Sequence, residues 1–283
     1  MADLMRSHLQ ALISERHPIS SPAGLRRAQD YLADQFRRVG LEVSFHQFRA
    51  LGGTYKNVIA ALCPQQGSGR RTGPPLIIAA HYDTVEGSPG ADDNASGLAV
   101  MLEAARALSP MTLAREIRFI AFCLEEEDLL GSLAYAAALK EAGEEIAGAI
   151  VLECVGYTSE KRGSQAIPVA TPIAVSDVGD FLAIVGNSVS APLVNAFKRA
   201  ATREARELKT VSLVVPAKGE RLPDTRRSDH AAFWHYGYPA LMLTDTANFR
   251  NPHYHRPTDT FETLDLTFMQ RVVRALTAAA ISL

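Results

Sequence analysis

Side chains that commonly bind metal ions stand at the ends of several apolar runs in this sequence and in the loops that follow such runs. They are histidines and carboxylates, in the order His81 and Asp83, Asp92 and Asp93, Glu125 and Glu126, Glu153, and His253 and His255. A charged side chain at the end of a buried strand is costly unless it is paired, hydrated or bound to a metal. Imidazoles and carboxylates together suit zinc, with manganese or cobalt as substitutes. A carboxylate that bridges two such ions, about 3.5–4 Å apart, would create a two-metal hydrolytic site.

Buried strands are expected to carry these side chains to one edge of a sheet. Three apolar runs end in a candidate ligand: 76–80 before His81, 116–124 before Glu125, and 146–152 before Glu153. A helix is expected over 93–108, between the first two runs. In open α/β sheets, ligands bind in the crevice at the carboxyl ends of the strands. The alternation of strand and helix predicts a three-layer α/β/α sandwich with a central mixed, mainly parallel sheet.

The rest of the chain extends this pattern into a single domain over 1–283. Further helices are predicted over 4–13, 22–39, 131–142, 192–207, 231–236 and 264–281, and further strands over 41–48, 54–62, 181–185, 211–215 and 240–243. The segment 63–75 is expected to be a polar surface loop. The long segment 156–178 has weak periodicity, and we expect it to form an active-site loop or lid.

Composition and charge exclude several classes of protein. With 283 residues, of which 47% are hydrophobic and 21% charged, the chain can bury a substantial core. Its formal net charge of -2 gives no reason to expect nucleic acid or an acidic membrane as a partner. We see no apolar run of roughly 20 residues and no secretory signal. Three widely spaced cysteines fit a reduced compartment, so we expect a cytoplasmic protein, with its oligomeric state left open.

Six short motifs stand in a recognisable order along the chain. They are His81-Tyr-Asp83, Asp92-Asp93-Asn-Ala-Ser-Gly97, Glu125-Glu126 with Gly131-Ser132, Leu152-Glu153, Ser228-Asp-His230, and Tyr254-His255-Arg-Pro-Thr-Asp259. Together they resemble the co-catalytic two-zinc exopeptidases of the aminopeptidase Y type, in clan MH. The resemblance extends from about Pro22 to the final helix. It implies a phosphorylase/hydrolase-like zinc exopeptidase fold that holds two Zn²⁺ ions, for which other divalent metals can substitute.

The resemblance assigns five residues to the two zinc ions: His81, Asp93, Glu126, Glu153 and His255. Asp93 would bridge the ions, His81 and Glu153 would complete one site, and Glu126 and His255 the other. Glu125 would be the general base for a water that bridges the two ions. Asp83 would orient the His81 ring through its N–H. Tyr254 stands where some relatives carry a tyrosine that stabilises the oxyanion, and simple packing is its alternative role.

Four neighbouring residues have simpler expected roles. Asp92 is expected to be an exposed helix cap. Cys154 is expected to be buried and turned away from the ligand side by strand alternation. Asp229 and His230 are expected to make structural hydrogen bonds.

The resemblance implies a metal-dependent exopeptidase, and we expect an aminopeptidase that acts on peptides or aminoacyl small molecules. A carboxypeptidase or an N-acyl amino acid amidase would use the same metal core. Glutaminyl cyclases of this fold use a single zinc, which the complete set with His81 argues against, and a non-catalytic module would have lost ligands or the base. Glu153 replaces a common Asp and Asp128 a common Gly, which leaves the substrate class open. Residues from 156–178 and 244–254 are expected to line the substrate pocket.

Overall fold

Each predicted helix is present, with its ends shifted by a few residues. The structure is a computed structural model, described over residues 1–63, 73–169 and 171–283. Within these ranges the α-helices are α1 (Ala2–Leu12), α2 (Pro22–Arg38), α3 (Gly97–Leu108), α4 (Leu130–Glu141), α5 (Ala191–Glu204), α6 (His230–His235) and α7 (Leu266–Ser282). None of the helices in these ranges has the length and apolar character that crossing a membrane requires.

Within the described residues, eight strands form one mixed sheet. They are β1 (Glu42–Ala50), β2 (Gly53–Leu62), β3 (Leu76–His81), β4 (Ile117–Phe122), β5 (Gly148–Glu153), β6 (Phe181–Asn187), β7 (Lys209–Val215) and β8 (Ala240–Thr244). Their order across the sheet is β1-β2-β4-β3-β5-β8-β6-β7. Strands β4, β3, β5 and β8 run parallel, and β2 is antiparallel to both of its neighbours, β1 and β4. The parallel pair β6–β7 is antiparallel to β8. This arrangement confirms the predicted mixed, mainly parallel sheet.

Helices cover both faces of the central strands, as expected for three layers. Successive residues of β3 point to opposite faces, so Ile78 joins the core formed with α3 and α7. Ile77 and Ala79 join the core formed with α4 and α6 on the other face. Every residue of β3 and β5 is buried, which explains why these strands are almost continuously apolar in sequence.

The third helix begins later than predicted, at Gly97. Before it, Ala91–Ser96 forms a wider, π-type turn in which Asp93 and Asn94 have non-helical backbone angles, and the peptide bond between them is cis. The Asn94 side chain holds this turn. Its Nδ2 donates to the carbonyl of Leu152 at 2.8 Å, and its Oδ1 accepts from the N–H of Gly97 at 3.2 Å. The contact with Leu152 comes from the end of β5, so the local sequence does not reveal where the helix starts.

The two predicted long loops have different outcomes. Most of the predicted surface loop 63–75 lies outside the described residues, since these omit 64–72. The described residues of 156–178 form no helix or strand, in agreement with the prediction of a loop. Part of this loop lines a cavity together with residues of β6, β7 and β8.

Candidate metal centre

The ends of neighbouring parallel strands bring the predicted ligands and base together. The residues are His81 at the end of β3, Asp93 in the turn before α3, Glu125 and Glu126 after β4, Glu153 at the end of β5, and His255 in the loop after β8. Strand β3 lies between β4 and β5 in the sheet. Their carboxyl ends therefore meet at one edge, which is the usual place for a ligand site in an α/β sheet.

Asp93 faces both predicted histidine ligands at once. Its Oδ1 is 3.1 Å from His81 Nε2, and its Oδ2 is 3.0 Å from His255 Nε2. Glu153 Oε2 lies 3.3 Å from His81 Nε2. Glu126 Oε2 lies 3.2 Å from His255 Nε2. The side chains therefore form two groups, each with one histidine, that share the Asp93 carboxylate.

Unpartnered polar atoms show that this cluster fits metal ions. Among the described residues, His81 Nδ1, His81 Nε2 and Asp93 Oδ1 are buried without a hydrogen-bond partner. A buried polar atom left unpaired costs about 1–3 kcal/mol. In each group the ligand atoms lie within 4.8 Å of one another. Imidazole nitrogens with carboxylate oxygens are a donor set that zinc accepts, so the residues fit one divalent cation in each group.

Glu125 belongs to neither of the two groups that share Asp93, although its carboxylate forms a third possible metal-binding group with His81 and Glu126. Its Oε2 is 3.9 Å from His81 Nε2, and the residue is 9% exposed. Burial raises the pKa of the Glu125 carboxyl well above its usual range, His81 opposes this shift, and Glu153 and Glu126 reinforce it. A cation bound nearby would lower this pKa. The carboxylate form, which a general base needs in order to accept a proton, would then be favoured.

Asp83 contacts more of the site than the sequence predicts. Its Oδ1 is 3.7 Å from His81 Nδ1, which is longer than a hydrogen bond. The same carboxylate accepts hydrogen bonds from the main-chain N–H groups of Glu125 and Glu126, both at 3.1 Å. Asp83 therefore fixes the backbone that presents the two glutamates, in addition to lying behind His81.

The prediction that Asp92 is an exposed helix cap is wrong. Asp92 is buried. Its Oδ1 accepts from the N–H of Gly156 and its Oδ2 from Asn251 Nδ2, both at 2.8 Å. Because α3 begins only at Gly97, Asp92 does not stand at the cap position. It instead joins the turn that carries Asp93 to two loops on the other side of the site.

The prediction that Cys154 turns away from the ligand side is also wrong. Strand β5 ends at Glu153, and Cys154 has a left-handed backbone (φ 49°), so strand alternation no longer applies. The Cys154 thiol is buried, as expected, and donates to Glu153 Oε1 at 3.1 Å. Ser228 Oγ donates to Glu153 Oε2 at 2.8 Å. Together these contacts hold the Glu153 carboxylate towards His81.

The sequence predicts structural hydrogen bonds for both Asp229 and His230, but the contacts of the two residues differ. His230 Nε2 donates to the carbonyl of Thr225 at 2.8 Å. Burial lowers the pKa of the His230 ring to about 4, so the ring is neutral at pH 7. Asp229 is also buried, but neither of its oxygens reaches a hydrogen-bond partner among the described residues. The structure thus shows the expected hydrogen bond for His230, whereas at Asp229 burial raises the pKa of the carboxyl and the nearby Ser132 hydroxyl acts to lower it.

Tyr254 stacks on His255 at the edge of the metal centre. Their ring centroids are 3.8 Å apart, with 16° between the planes. Arg227 Nη2 donates to the Tyr254 hydroxyl oxygen at 3.4 Å. Burial raises the pKa of the Tyr254 phenol, and Asp93 raises it further, so the hydroxyl keeps its proton and can donate it in a hydrogen bond. Both roles that the sequence left open for this residue remain compatible with its position.

Arg16 is a buried cation behind the metal centre that the sequence did not reveal. The residue is 0% exposed. Its guanidinium donates to five main-chain carbonyls, those of Tyr82 at 2.8 Å, Pro89 at 3.0 Å, Gly90 at 3.1 Å, Ser14 at 2.7 Å, and Leu12. The side chain therefore connects the end of α1 to the segment between His81 and Asp93.

Nearby carboxylates help to keep Arg16 charged. Burial lowers the pKa of its guanidinium to about 10, while Asp93 and Asp83 act to raise it. The side chain is therefore protonated at neutral pH and supplies a positive charge next to an acidic cluster. An arginine after an N-terminal helix is ordinarily exposed, so no pattern in the sequence distinguishes this one.

Arg16→Met is expected to lower the free energy of unfolding of the metal-free protein by about 3–5 kcal/mol, as when one side of a buried charge interaction is removed. The change leaves several carbonyls without a donor and removes the positive charge beside Asp93. Urea denaturation followed by circular dichroism measures the loss. The control is Arg37→Met, because Arg37 pairs with Asp34 at an exposed position, and we expect a change below about 0.5 kcal/mol there. Equal losses in the two variants would contradict a special role for Arg16.

A largely apolar cavity of about 520 Å³ opens beside the metal centre. Glu153 and Tyr254 stand in its wall, and both expected loops, 156–178 and 244–254, contribute lining residues. Strands β6, β7 and β8 and the segment 221–227 contribute as well, which the sequence did not predict. The cavity therefore lies where a substrate group next to the metal centre would extend.

The chain shares its sequence pattern with a known family and with curated relatives. Residues 57–280 match peptidase family M28. YfbL of Escherichia coli (strain K12) is 35% identical over 273 residues, which cover 91% of this chain and 80% of YfbL. Aminopeptidase YwaD of Bacillus subtilis (strain 168) is 32% identical over 216 residues, which cover 72% of this chain and 40% of YwaD. The chain thus spans less than half the length of that aminopeptidase.

Solved structures of similar shape include two aminopeptidases and a cyclase. The LapA aminopeptidase of Legionella pneumophila has a TM-score of 0.76 at 19% identity, covering 100% of this chain and 71% of LapA. BSAP, a zinc aminopeptidase from Bacillus subtilis, has a TM-score of 0.61 at 29% identity, covering 81% of this chain and 50% of BSAP. Porphyromonas gingivalis glutaminyl cyclase has a TM-score of 0.72 at 19% identity, covering 99% and 97%. At identities this low, LapA and the cyclase show a shared fold alone.

The match of residues 57–280, most of the chain, to the family model establishes which family the chain belongs to. The family confirms the resemblance seen in the six motifs and the expected class of enzyme, a zinc metallopeptidase. The structures confirm the expected α/β fold. The chain belongs to peptidase family M28.

Proposed function

We propose that this protein is a two-zinc aminopeptidase that removes the N-terminal residue from peptides. The observation that carries the proposal is the Asp93 carboxylate, whose oxygens face His81 and His255 at 3.1 and 3.0 Å. A carboxylate held between two imidazoles is the arrangement expected of a ligand that bridges two metal ions. Support also comes from family membership, from the relative named as an aminopeptidase, and from the zinc in the name of the Bacillus structure.

In this proposal the metal ligands divide into two sets that share Asp93. His81 and Glu153 belong to one zinc ion, and Glu126 and His255 to the other. When bound, the two ions would polarise the scissile carbonyl and lower the pKa of the attacking water. Other divalent metals with the same preference for nitrogen and oxygen ligands can substitute.

Glu125 and Tyr254 carry the proton transfers and the hydrogen bonding of the proposed reaction. The Glu125 carboxylate takes a proton from the attacking water and delivers it to the leaving amine. The hydrogen bond from the Glu125 N–H to Asp83 holds this residue in position. Tyr254 donates a hydrogen bond from its hydroxyl to the oxygen that becomes negatively charged in the transition state.

A substrate panel combined with metal analysis tests the proposal. The zinc-loaded protein is assayed with free-amino aminoacyl anilides, N-blocked peptides and N-acyl amino acids. We expect turnover of the free-amino substrates only, together with about two zinc ions per chain. Turnover of blocked substrates without turnover of free-amino ones would reject the aminopeptidase and favour a carboxypeptidase or an amidase on the same metal core.

A further inference from the structure

The apolar cavity extends sideways from the metal centre along the sheet. It has a volume of about 520 Å³ and begins beside Glu153. Strands β8, β6 and β7 form one wall, and residues 165–169, 171, 173 and 175 also line the cavity. Residues 221–227 lie on a further side. The space is therefore bounded by regular strands, whose pairing shows how far it reaches.

The pairing of residues between neighbouring strands shows how far the cavity extends across the sheet. Glu153 on β5 pairs with Thr244 on β8, Thr244 with Ala183 on β6, and Ala183 with Val211 on β7. All four residues line the cavity. Neighbouring strands are about 4.8 Å apart, so three steps place Val211 about 14 Å from Glu153 across the sheet. The cavity thus continues well beyond the metal ligands.

The lining suits hydrocarbon better than peptide. A second row of paired residues, Met242, Val185 and Leu213, presents only apolar side chains to the cavity. The hydroxyl of Thr244 already accepts from the N–H of Thr246 at 2.9 Å. Polar side chains, among them Gln165, Arg221 and Asn248, also line the cavity. A peptide backbone that lay along the strand wall would nevertheless place N–H and C=O groups against the apolar row, which is unfavourable. An occupant without polar groups carries no such cost.

The volume exceeds what one natural side chain fills. A cavity of about 150 Å³ is large enough to hold benzene, so a phenylalanine ring would fill less than about a third of this one. We propose that the cavity binds a linear hydrocarbon chain attached to the carbonyl of the scissile amide. A length of about twelve carbons fits, because an extended chain spans about 3.5 Å for every three bonds and therefore needs about twelve bonds to cover about 14 Å.

This hydrocarbon can come from two sources. It is either the side chain of the first residue of a free-amino substrate or the acyl chain of an N-acyl amino acid. The proposal rests on the proposed function, since the chain must belong to an amide that reaches the metal centre. The metal core serves both sources, and substrates of each kind separate them.

Two homologous series of substrates test the proposal. 2-Aminoalkanoyl anilides carry the hydrocarbon as a side chain, and N-alkanoyl amino acids carry it as an acyl group. We expect kcat/KM to rise about fourfold for each added methylene, as for burial of one CH₂, and to level off near about twelve carbons. A rise in the free-amino series supports both proposals. A rise in the acyl series alone supports the cavity and overturns the aminopeptidase. No rise beyond about four carbons in any hydrolysed series overturns the cavity proposal.

Binding of linear alkanoic acids gives a readout that does not require turnover. Isothermal titration of the zinc-loaded protein should show Kd falling about fourfold per methylene over the same range of chain lengths. A Kd independent of chain length overturns the proposal even if neither substrate series is hydrolysed.

Substitutions at two depths of the cavity make the test specific. Ala183→Phe narrows the cavity two strands from Glu153, and Val211→Phe narrows it three strands away. We expect the chain length with the highest kcat/KM, or the lowest Kd, to be shortest in Ala183→Phe and intermediate in Val211→Phe. The control Val214→Phe changes a partly exposed residue of β7 outside the lining and should keep the wild-type optimum.

Circular dichroism and thermal melting establish that each variant is folded. If Ala183→Phe does not fold, Val211→Phe still tests the proposal, because Val211 is less buried. Optima that stay at the wild-type chain length in the folded cavity variants overturn the proposal.

Discussion

Glu125→Gln is expected to abolish peptidase turnover while leaving the metal content unchanged. The amide has nearly the shape of the carboxylate but cannot accept a proton at neutral pH. General acid–base catalysis contributes about 10²–10⁴-fold, so we expect kcat to fall by about 1,000-fold. Neither of the two groups that share Asp93 contains Glu125, so bound zinc should stay near the wild-type amount. Steady-state assays on a free-amino anilide and elemental analysis of the same preparation measure the two quantities.

The matched control for this change is Glu127→Gln, two residues along the same segment. Glu127 is partly exposed, and its carboxylate is 3.6 Å from His17, so its loss should leave kcat within about twofold, as expected for a residue outside the reaction. If Glu125→Gln loses zinc, Glu125 is a ligand instead of the base. If the variant keeps full activity, another group accepts the proton.

Asp93→Ala is expected to weaken metal binding in both groups that share Asp93 and to abolish peptidase turnover as a result. The two Asp93 oxygens face different histidines, at 3.1 and 3.0 Å, so one substitution takes a ligand from each group. Loss of an outer partner of a metal ligand typically weakens binding 10–100-fold, and loss of the ligand itself should weaken it by more than about 100-fold. Competition with a chromophoric chelator measures the affinity, and elemental analysis measures the stoichiometry.

Two comparisons show whether Asp93 bridges. His255→Ala removes a ligand from only one group, so it should lose one ion and keep the other. Asp92→Asn changes the preceding acid, whose oxygens are already occupied by Gly156 and Asn251, and should keep both ions. Loss of a single ion from Asp93→Ala would show that Asp93 belongs to one metal only.

The fold could be predicted because the informative features are local. Strands β3 and β5 are buried on both faces and appear in the sequence as apolar runs that end in a charged residue. The start of α3 could not be predicted in the same way. It depends on hydrogen bonds from Asn94 to Leu152 and Gly97, and Leu152 comes from a different strand. The wrong role for Asp92 follows directly from that missed boundary.

The same difference between local features and contacts from distant parts of the chain applies to the candidate site. The ligand set was accessible because each residue ends a strand or belongs to a short motif, and the structure brings these residues together. The contact between Cys154 and Glu153 was not accessible, because it requires a left-handed residue directly after β5. The second role of Asp83, as acceptor for the N–H groups of Glu125 and Glu126, depends on how β3 and β4 align. The spacing of residues in the sequence predicts neither of these contacts.

The buried guanidinium of Arg16 shows that a residue outside the region matched to the family also supports the proposed metal ligands. The match to peptidase family M28 covers residues 57–280, and Arg16 lies well before it. Yet this residue supplies the positive charge behind Asp93 and joins α1 to the segment between His81 and Asp93, two of the five proposed metal ligands. A protein trimmed to the matched residues would keep every proposed metal ligand while losing a support for their placement. For protein engineering, the smallest functional module of this chain is therefore larger than the region by which its family is recognised.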